Sequence, residues 1–281
     1  MHRITLRGLK ELDFRRQEAY HTLRSNLEFC GKTNKVIEIT SCAPDEGKST
    51  IAVYLAKSIA DNGKKVMLLD ADLRKSALVE KYQGGGGKSG LSNFLSGQMP
   101  FEDIYFETDI PNLYITFAGP IPPNPSELLG SPYFQGAVDT LRRTFDYVII
   151  DTPPLENVID AAVIASCCDG YILVVEDNRI SYRFAQQVKE QLDRTGCRNL
   201  GCVLNKVNMS GKGYNGRYYR KYGKYSYDGG YYGRTRGKAY PDNAMDRKAD
   251  GEKAEKGRMP EKHAGLRLLP DADSGERGNR K

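Results

Sequence analysis

No apolar run in the 281 residues approaches the roughly 20 needed to span a bilayer. Met1 to Tyr20 is studded with charge where a secretory leader would be greasy. Together these absences predict a cytoplasmic chain. The six cysteines, Cys30, Cys42, Cys167, Cys168, Cys197 and Cys202, include no CxxC pair and mostly sit in apolar stretches. That pattern predicts buried thiols rather than metal ligands or disulfides. Beyond Val207 the chain is short of Leu, Ile, Val and Phe, so it lacks the apolar surface that would offset the entropy of ordering it. A second packed domain is thereby excluded, and one α/β domain followed by a disordered tail is predicted.

Acidic residues are also scarce in that tail. Residues 206–281 hold 19 Lys+Arg against 10 Asp+Glu, out of 42 and 36 in the whole chain, so the tail is net +9 and the body net −3. A tail of this charge suits phosphate, nucleic acid, an anionic membrane surface or an acidic partner segment, and charge alone does not choose among them.

What the body does contain is a set of short apolar runs: Val36 to Thr40, Lys65 to Asp70, Asn112 to Phe117, Tyr147 to Asp151, Gly170 to Glu176 and Leu200 to Asn205. They are continuously apolar rather than alternating, as buried parallel strands are. Helical spacing lies between most of them, at Thr50 to Asp61, Ser126 to Phe145, Ile159 to Ser166 and Ser181 to Arg194. Strand alternating with helix predicts a doubly wound α/β domain over residues 1–207, a mostly parallel sheet flanked by helices, with ligands at the carboxyl ends of the strands. Ahead of the first strand, residues 14–30 read as an amphipathic helix with Tyr20, Leu23, Leu27 and Cys30 on one stripe. Its polar residues Glu18, His21 and Arg24 recur every three positions. They form either a solvated face or a surface for another subunit.

Three strand exits carry chemistry. The first continues as Ser41-Cys42-Ala43-Pro44-Asp45-Glu46-Gly47-Lys48-Ser49-Thr50, a Walker A context of strand, loop and helix in which Cys42 stands at the usual first glycine. The loop from Pro44 to Thr50 would surround phosphates with the backbone N–H groups of Asp45 to Thr50, with Gly47 allowing close approach, Lys48 meeting the β and γ oxygens, and Ser49 offering a hydroxyl to Mg²⁺. The second exit is Leu69-Asp70-Ala71-Asp72-Leu73-Arg74 and the fourth is Ile150-Asp151-Thr152-Pro153-Pro154, a Walker B form. Ionised aspartates are costly inside a protein and favourable beside a metal or a nucleophile. Taken alone each acidic end could equally cap a helix or turn. The last strand ends Asn205-Lys206-Val207-Asn208, lacking the aspartate of a guanine-reading Asn-Lys-x-Asp. Adenine is therefore expected, with Asn205 either a base contact or part of a plain strand-end turn.

The tail holds eight tyrosines between residues 214 and 232, namely Tyr214, Tyr218, Tyr219, Tyr222, Tyr225, Tyr227, Tyr231 and Tyr232, threaded with Gly, Lys and Arg. An exposed run of phenols is either a sticky aromatic surface or a set of phosphate acceptors.

With the phosphate loop, both acidic motifs, the loop Pro122-Pro123-Asn124-Pro125-Ser126-Glu127-Leu128-Leu129 and the tyrosine cluster in place, the chain resembles the bacterial tyrosine kinases of capsule and exopolysaccharide synthesis, in their free-standing cytoplasmic form, over about residues 14–240. The resemblance implies a Mg-ATP-dependent kinase that phosphorylates tyrosines of its own tail, residues 208–240, on a neighbouring subunit. It further implies that Lys48 and Ser49 hold the phosphates and Mg²⁺, that Asp70 activates the attacking phenol, and that Asp72 and Asp151 organise the metal. The implied partners are a membrane-anchored polysaccharide co-polymerase that recruits and activates the kinase at the inner face of the membrane, further copies of the chain in a ring, and a tyrosine phosphatase. No nucleic acid partner is expected. Residues 241–281 read as a disordered polar tail.

Two positions depart from the family pattern. Asp45 stands where the family often has Gly. The assembly motif Glu-x-x-Arg-x-x-Arg becomes Glu18, His21 and Arg24, which predicts looser assembly, or assembly that depends on pH or a partner. Two other readings suit part of the chain. A partition- or division-type ATPase shares the phosphate loop and would hydrolyse ATP without phosphotyrosine, and a Tyr/Arg/Gly tail could stack on RNA or DNA.

Overall fold

The computed structural model describes residues 2–207 apart from 32, 83–88 and 157. The tyrosine cluster and residues 241–281 lie outside the described residues. Among the described residues eight strands form one sheet: β1 (His2–Ile4), β2 (Val36–Ser41), β3 (Val66–Asp70), β4 (Tyr105–Thr108), β5 (Leu113–Thr116), β6 (Tyr147–Asp151), β7 (Gly170–Glu176) and β8 (Asn199–Asn205). Their spatial order is β1-β4-β5-β3-β6-β2-β7-β8. Every neighbouring pair is parallel except β4 with β5. The six predicted strands correspond to β2, β3, β5, β6, β7 and β8, each within a residue or so at its ends.

The central strands β2, β3 and β6 are buried along almost their whole lengths, which is why their sequences are continuously apolar. The helices over them are α1 (Phe14–Phe29), α2 (Lys48–Asp61), α3 (Ala77–Tyr82), α4 (Leu91–Leu95), α5 (Pro125–Leu129), α6 (Pro132–Thr144), α7 (Asp160–Ala165) and α8 (Tyr182–Asp193). On one face of the sheet Ile37, Ile39, Leu68 and Ile115 pack with Leu55 and Ile59 of α2 and Leu23 and Leu27 of α1. On the other, Val36, Met67, Leu69, Val148 and Ile150 meet Phe134, Val138 and Leu141 of α6 and Ile164 of α7.

The single helix expected over Ser126 to Phe145 is two. Pro132 lacks an N–H and disfavours helical backbone in the residue before it. Ser131 is accordingly extended, with φ −76° and ψ 155°, and caps α6 by accepting the Phe134 N–H. Strands β1 and β4 and helices α3 and α4 are additions to the sequence reading. Each is only three to six residues long, too short for periodicity to reveal. Among the cysteines, Cys42, Cys167 and Cys197 are buried as expected, Cys30 and Cys168 are partly so, and Cys202 on β8 is exposed, a correction to the buried-thiol reading. No helix among the described residues is long and apolar enough to cross a membrane.

Candidate active site

The strand order sets β3, β6 and β2 side by side, so three exits distant in sequence converge. Asp70 and Asp151 are direct register partners, and Asp151 is likewise paired with Ile39, just before the phosphate loop. This explains why carboxylates at these strand ends face a lysine at the start of α2.

The phosphate loop turns into α2 at Gly47, whose φ of 95° suits glycine. A Cβ there would lie 2.2 Å from Asn205 Nδ2, so this position also requires the absence of a side chain. Asp45 has φ 61°, the left-handed region that Asp tolerates better than most residues. Pro44 and Asp45 are exposed, Gly47 and Thr50 are partly exposed, and Lys48 and Ser49 are buried. The Glu46 side chain turns inward. Its carboxylate accepts the Ala43 N–H at 2.8 Å and the Glu176 N–H at 3.1 Å, so it serves the shape of the loop.

Lys48 Nζ lies 3.2 Å from Asp72 Oδ2, 3.5 Å from Asp151 Oδ1 and 3.2 Å from Ser49 Oγ. Burial pulls the Lys48 pKa down, but Asp151 and Asp72 outweigh it and the net shift is upward. The ammonium is therefore held charged. Asp151 is fully buried, and neither of its carboxylate oxygens has a hydrogen-bond partner among the described residues. Burial raises its pKa, with Lys48 opposing. A carboxylate this buried, met by an ammonium only at 3.5 Å and by a neighbouring serine hydroxyl, suits a divalent cation and its waters. Ser49, Asp72 and Asp151 are thus gathered around Lys48 Nζ as a set of oxygens with the chemistry to hold Mg²⁺.

Asp70 is fully buried and faces a different set of groups. Its Oδ2 accepts the Ser76 hydroxyl in a short hydrogen bond and the Ala118 N–H at 3.2 Å, while Oδ1 accepts the Asp72 N–H at 3.3 Å. Burial first and then Asp151 push its pKa up to about 8. Asp72 differs: its Oδ1 accepts the backbone N–H groups of Arg74 and Lys75 at 3.3 and 3.0 Å, leaving Oδ2 to Lys48.

Asn205 reaches the site, but its Nδ2 is committed to the Glu46 carbonyl at 2.9 Å. On α1, His21 Nδ1 lies 3.2 Å from Glu18 Oε1 on the exposed side. Arg24 instead turns inward and donates to the Ser58 carbonyl of α2 at 2.9 Å.

The sequence reading missed several supporting residues. Arg74 makes a two-point contact with the buried Asp160, Nε to Oδ2 at 2.7 Å and Nη2 to Oδ1 at 3.1 Å. Ser126 joins both partners, accepting from Arg74 at 3.0 Å and donating to Asp160 at 2.6 Å. The Pro122 to Leu129 loop is thereby tied to the second acidic motif. The loop stands out as a motif, but no spacing in the sequence pairs Ser126 with Asp160. Within the sheet, Glu38 is fully buried and accepts the Thr152 hydroxyl at 3.0 Å, a contact that requires β2 and β6 to be neighbours.

Comparison with known proteins identifies relatives of the chain as a whole. A family model described as an AAA domain matches residues 34–196. The tyrosine-protein kinase CpsD of Streptococcus agalactiae is 43% identical over 208 residues, covering 74% of this chain and 90% of that protein. The tyrosine-protein kinase CpsD of Streptococcus pneumoniae is 39% identical over 224 residues, covering 79% and 95%. Among solved structures, the chimerical protein CapA2B2 superposes with a TM-score of 0.64 at 37% identity, covering 68% of this chain and 84% of that one. With the phosphate loop, the paired acidic exits and relatives of this closeness, the chain belongs to the bacterial tyrosine-protein kinases built on the P-loop α/β fold.

Proposed function

We propose that the chain transfers the γ-phosphoryl group of ATP to tyrosines of its own tail, residues 208–240, on a neighbouring copy, and that this controls capsular or exopolysaccharide synthesis. The observation that carries the reading is the convergence of Ser49, Asp72 and the fully buried Asp151 around the Lys48 ammonium.

In the proposed reaction a tyrosine Oη attacks the γ-phosphorus, the bond from that phosphorus to the β,γ-bridging oxygen breaks, ADP leaves, and the phenol proton passes to a carboxylate. Positioning and charge neutralisation supply most of the rate in such a transfer. Mg²⁺, when bound, neutralises phosphate charge. Lys48 would neutralise charge on the β and γ oxygens. Ser49, Asp72 and Asp151 would hold the metal and its waters, and the loop backbone from Pro44 to Thr50 would orient the phosphates. Asp70 in its ionised form, which a pKa of about 8 favours toward alkaline pH, is the proposed proton acceptor, and its enclosure by Ser76 and Ala118 requires the incoming phenol to displace the Ser76 hydroxyl. Asn205 retains its Oδ1 to accept from an adenine amino group.

The proposal includes a membrane-anchored co-polymerase as activator, which would bring the chain to the inner face of the membrane. It also includes self-association through the α1 face carrying Glu18 and His21, and a phosphatase that resets the tail. The likeness to CapA2B2, itself a chimerical protein, supports looking for such an activating partner.

The test is phosphotyrosine mapping by mass spectrometry after incubation with Mg-ATP, alone and with the cytoplasmic end of the membrane protein, beside Lys48→Met. Phosphate on Tyr214 to Tyr232 that vanishes in the variant is expected. ATP hydrolysis with no phosphotyrosine in either condition would instead make the chain a partition-type ATPase with a tail that serves as a binding surface.

A further inference from the structure

The end of β8 grips the phosphate loop from behind. Asn205 Nδ2 donates to the Glu46 carbonyl at 2.9 Å. Lys206 Nζ donates to the Asp45 carbonyl at 2.6 Å and to Glu176 Oε2 at 3.0 Å. Glu176 lies at the end of β7, and its own N–H is held by Glu46 at 3.1 Å. Two successive loop carbonyls are thus fixed by two successive residues at the strand end, and the loop carboxylate returns the contact. Both ends of the grip have left-handed backbone, with Asp45 at φ 61° and Lys206 at φ 55°. Such backbone in non-glycine residues persists only where its surroundings hold it.

We propose that Lys206, with Asn205, is a positioning residue for nucleotide binding. It latches the carbonyls of Asp45 and Glu46 outward, so that the loop's N–H groups converge on the phosphate side. A charged donor on a carbonyl is stronger than a neutral one, and it acts where Asp45, which is not a glycine, holds left-handed backbone. The polar tail starts immediately after the latch, from Val207 onward, so loop and tail share one anchor. Coupling of this kind is reciprocal: phosphates that order the loop tighten the latch, and an event that draws Lys206 away loosens the loop.

The inference deepens the nucleotide-binding reading, and its test separates the two. Amide hydrogen exchange is measured on the full nucleotide-free chain, as wild type, Lys206→Met and Lys206→Arg, together with Mg-ADP affinity by titration calorimetry and the thermal midpoint. In Lys206→Met, exchange at the amides of Asp45 to Lys48 should rise several-fold and Mg-ADP should bind about three- to tenfold more weakly, with the midpoint nearly unchanged. Lys206→Arg should restore most of both losses. Unchanged loop exchange in Lys206→Met overturns the latch. So does a loss spread evenly through β7 and β8 with a lowered midpoint, which marks a purely structural contact. If wild type failed to bind Mg-ADP, the nucleotide reading would fall, while loop exchange would still judge the latch.

Discussion

Glu38 shows what a single residue costs in this sheet. It sits in the middle of β2, fully buried, with Oε1 accepting the Thr152 hydroxyl and Oε2 without a partner. Burial pushes its pKa up to about 8, so the folded protein keeps the proton long after an unfolded chain, with an ordinary glutamate near pH 4.5, has released it. Stability contributed by the protonated form is therefore lost as pH rises from about 4.5 to about 8. Glu38→Gln keeps an acceptor for Thr152 and removes the titration. Its thermal midpoint should exceed that of wild type by more at pH 8 than at pH 5, and a constant gap would contradict this account. Asp70 carries a related tension, since a buried carboxylate beside Asp151 favours transfer chemistry over stability. Asp70→Asn is expected to abolish tail phosphorylation, read by phosphotyrosine blot, while raising the midpoint by a few degrees in the absence of Mg-ATP.

At the scale of elements, the cross-tie among Arg74, Ser126 and Asp160 joins the exit of β3 to α5 and to the start of α7. Asp160 is fully buried, so removing the guanidinium leaves its charge uncompensated. Arg74→Met should destabilise the domain by roughly 1–3 kcal/mol, discounted for the partial exposure of Arg74, as measured by urea denaturation. Arg74→Lys should recover less than half of that, because one ammonium cannot reproduce the two-point contact. This tie marks a limit of what the sequence discloses. The central strands were legible because residues buried on both faces read as unbroken apolar runs, and the three acidic exits because each follows such a run. Which exits adjoin depends on strand order, and strand order leaves no local trace. Ser126 with Asp160, Glu38 with Thr152 and Lys206 with Asp45 are all products of that order. The division of α5 from α6 was legible in principle at Ser131-Pro132, where helical spacing on either side outweighed the break.

At the scale of the whole molecule, charge and assembly are linked. Between Ser210 and Tyr240 there are eight Lys+Arg and one acid, a net +7, and each phosphotyrosine adds about −1.5 to −2, so four or five modifications reverse the sign. The unmodified tail is expected to favour an acidic neighbouring surface and the modified tail to leave it. Multi-angle light scattering of phosphate-free and multiply phosphorylated protein, with the activator's cytoplasmic end present, should give a larger mass for the former. Equal masses would rule the cycle out. With His21 in the proposed assembly face and Arg24 spent on Ser58 within the subunit, association through α1 should be weaker than with arginine. His21→Arg should raise the mass at a given concentration.

The order in which the ribosome makes this chain gives the placement of β2 a further meaning. The strand carrying the phosphate loop is finished early, yet its neighbours in the sheet are β6 and β7, and the contacts that shape its loop reach forward to Glu176, Asn205 and Lys206. Contacts so distant in sequence close late. A nascent chain therefore carries an unfinished phosphate loop until residue 206 has emerged, and the tyrosines follow within the next few dozen residues. Loop and tyrosine cluster come off the ribosome almost together, so a chain terminated before residue 205 lacks both its tail and the last fastenings of its loop.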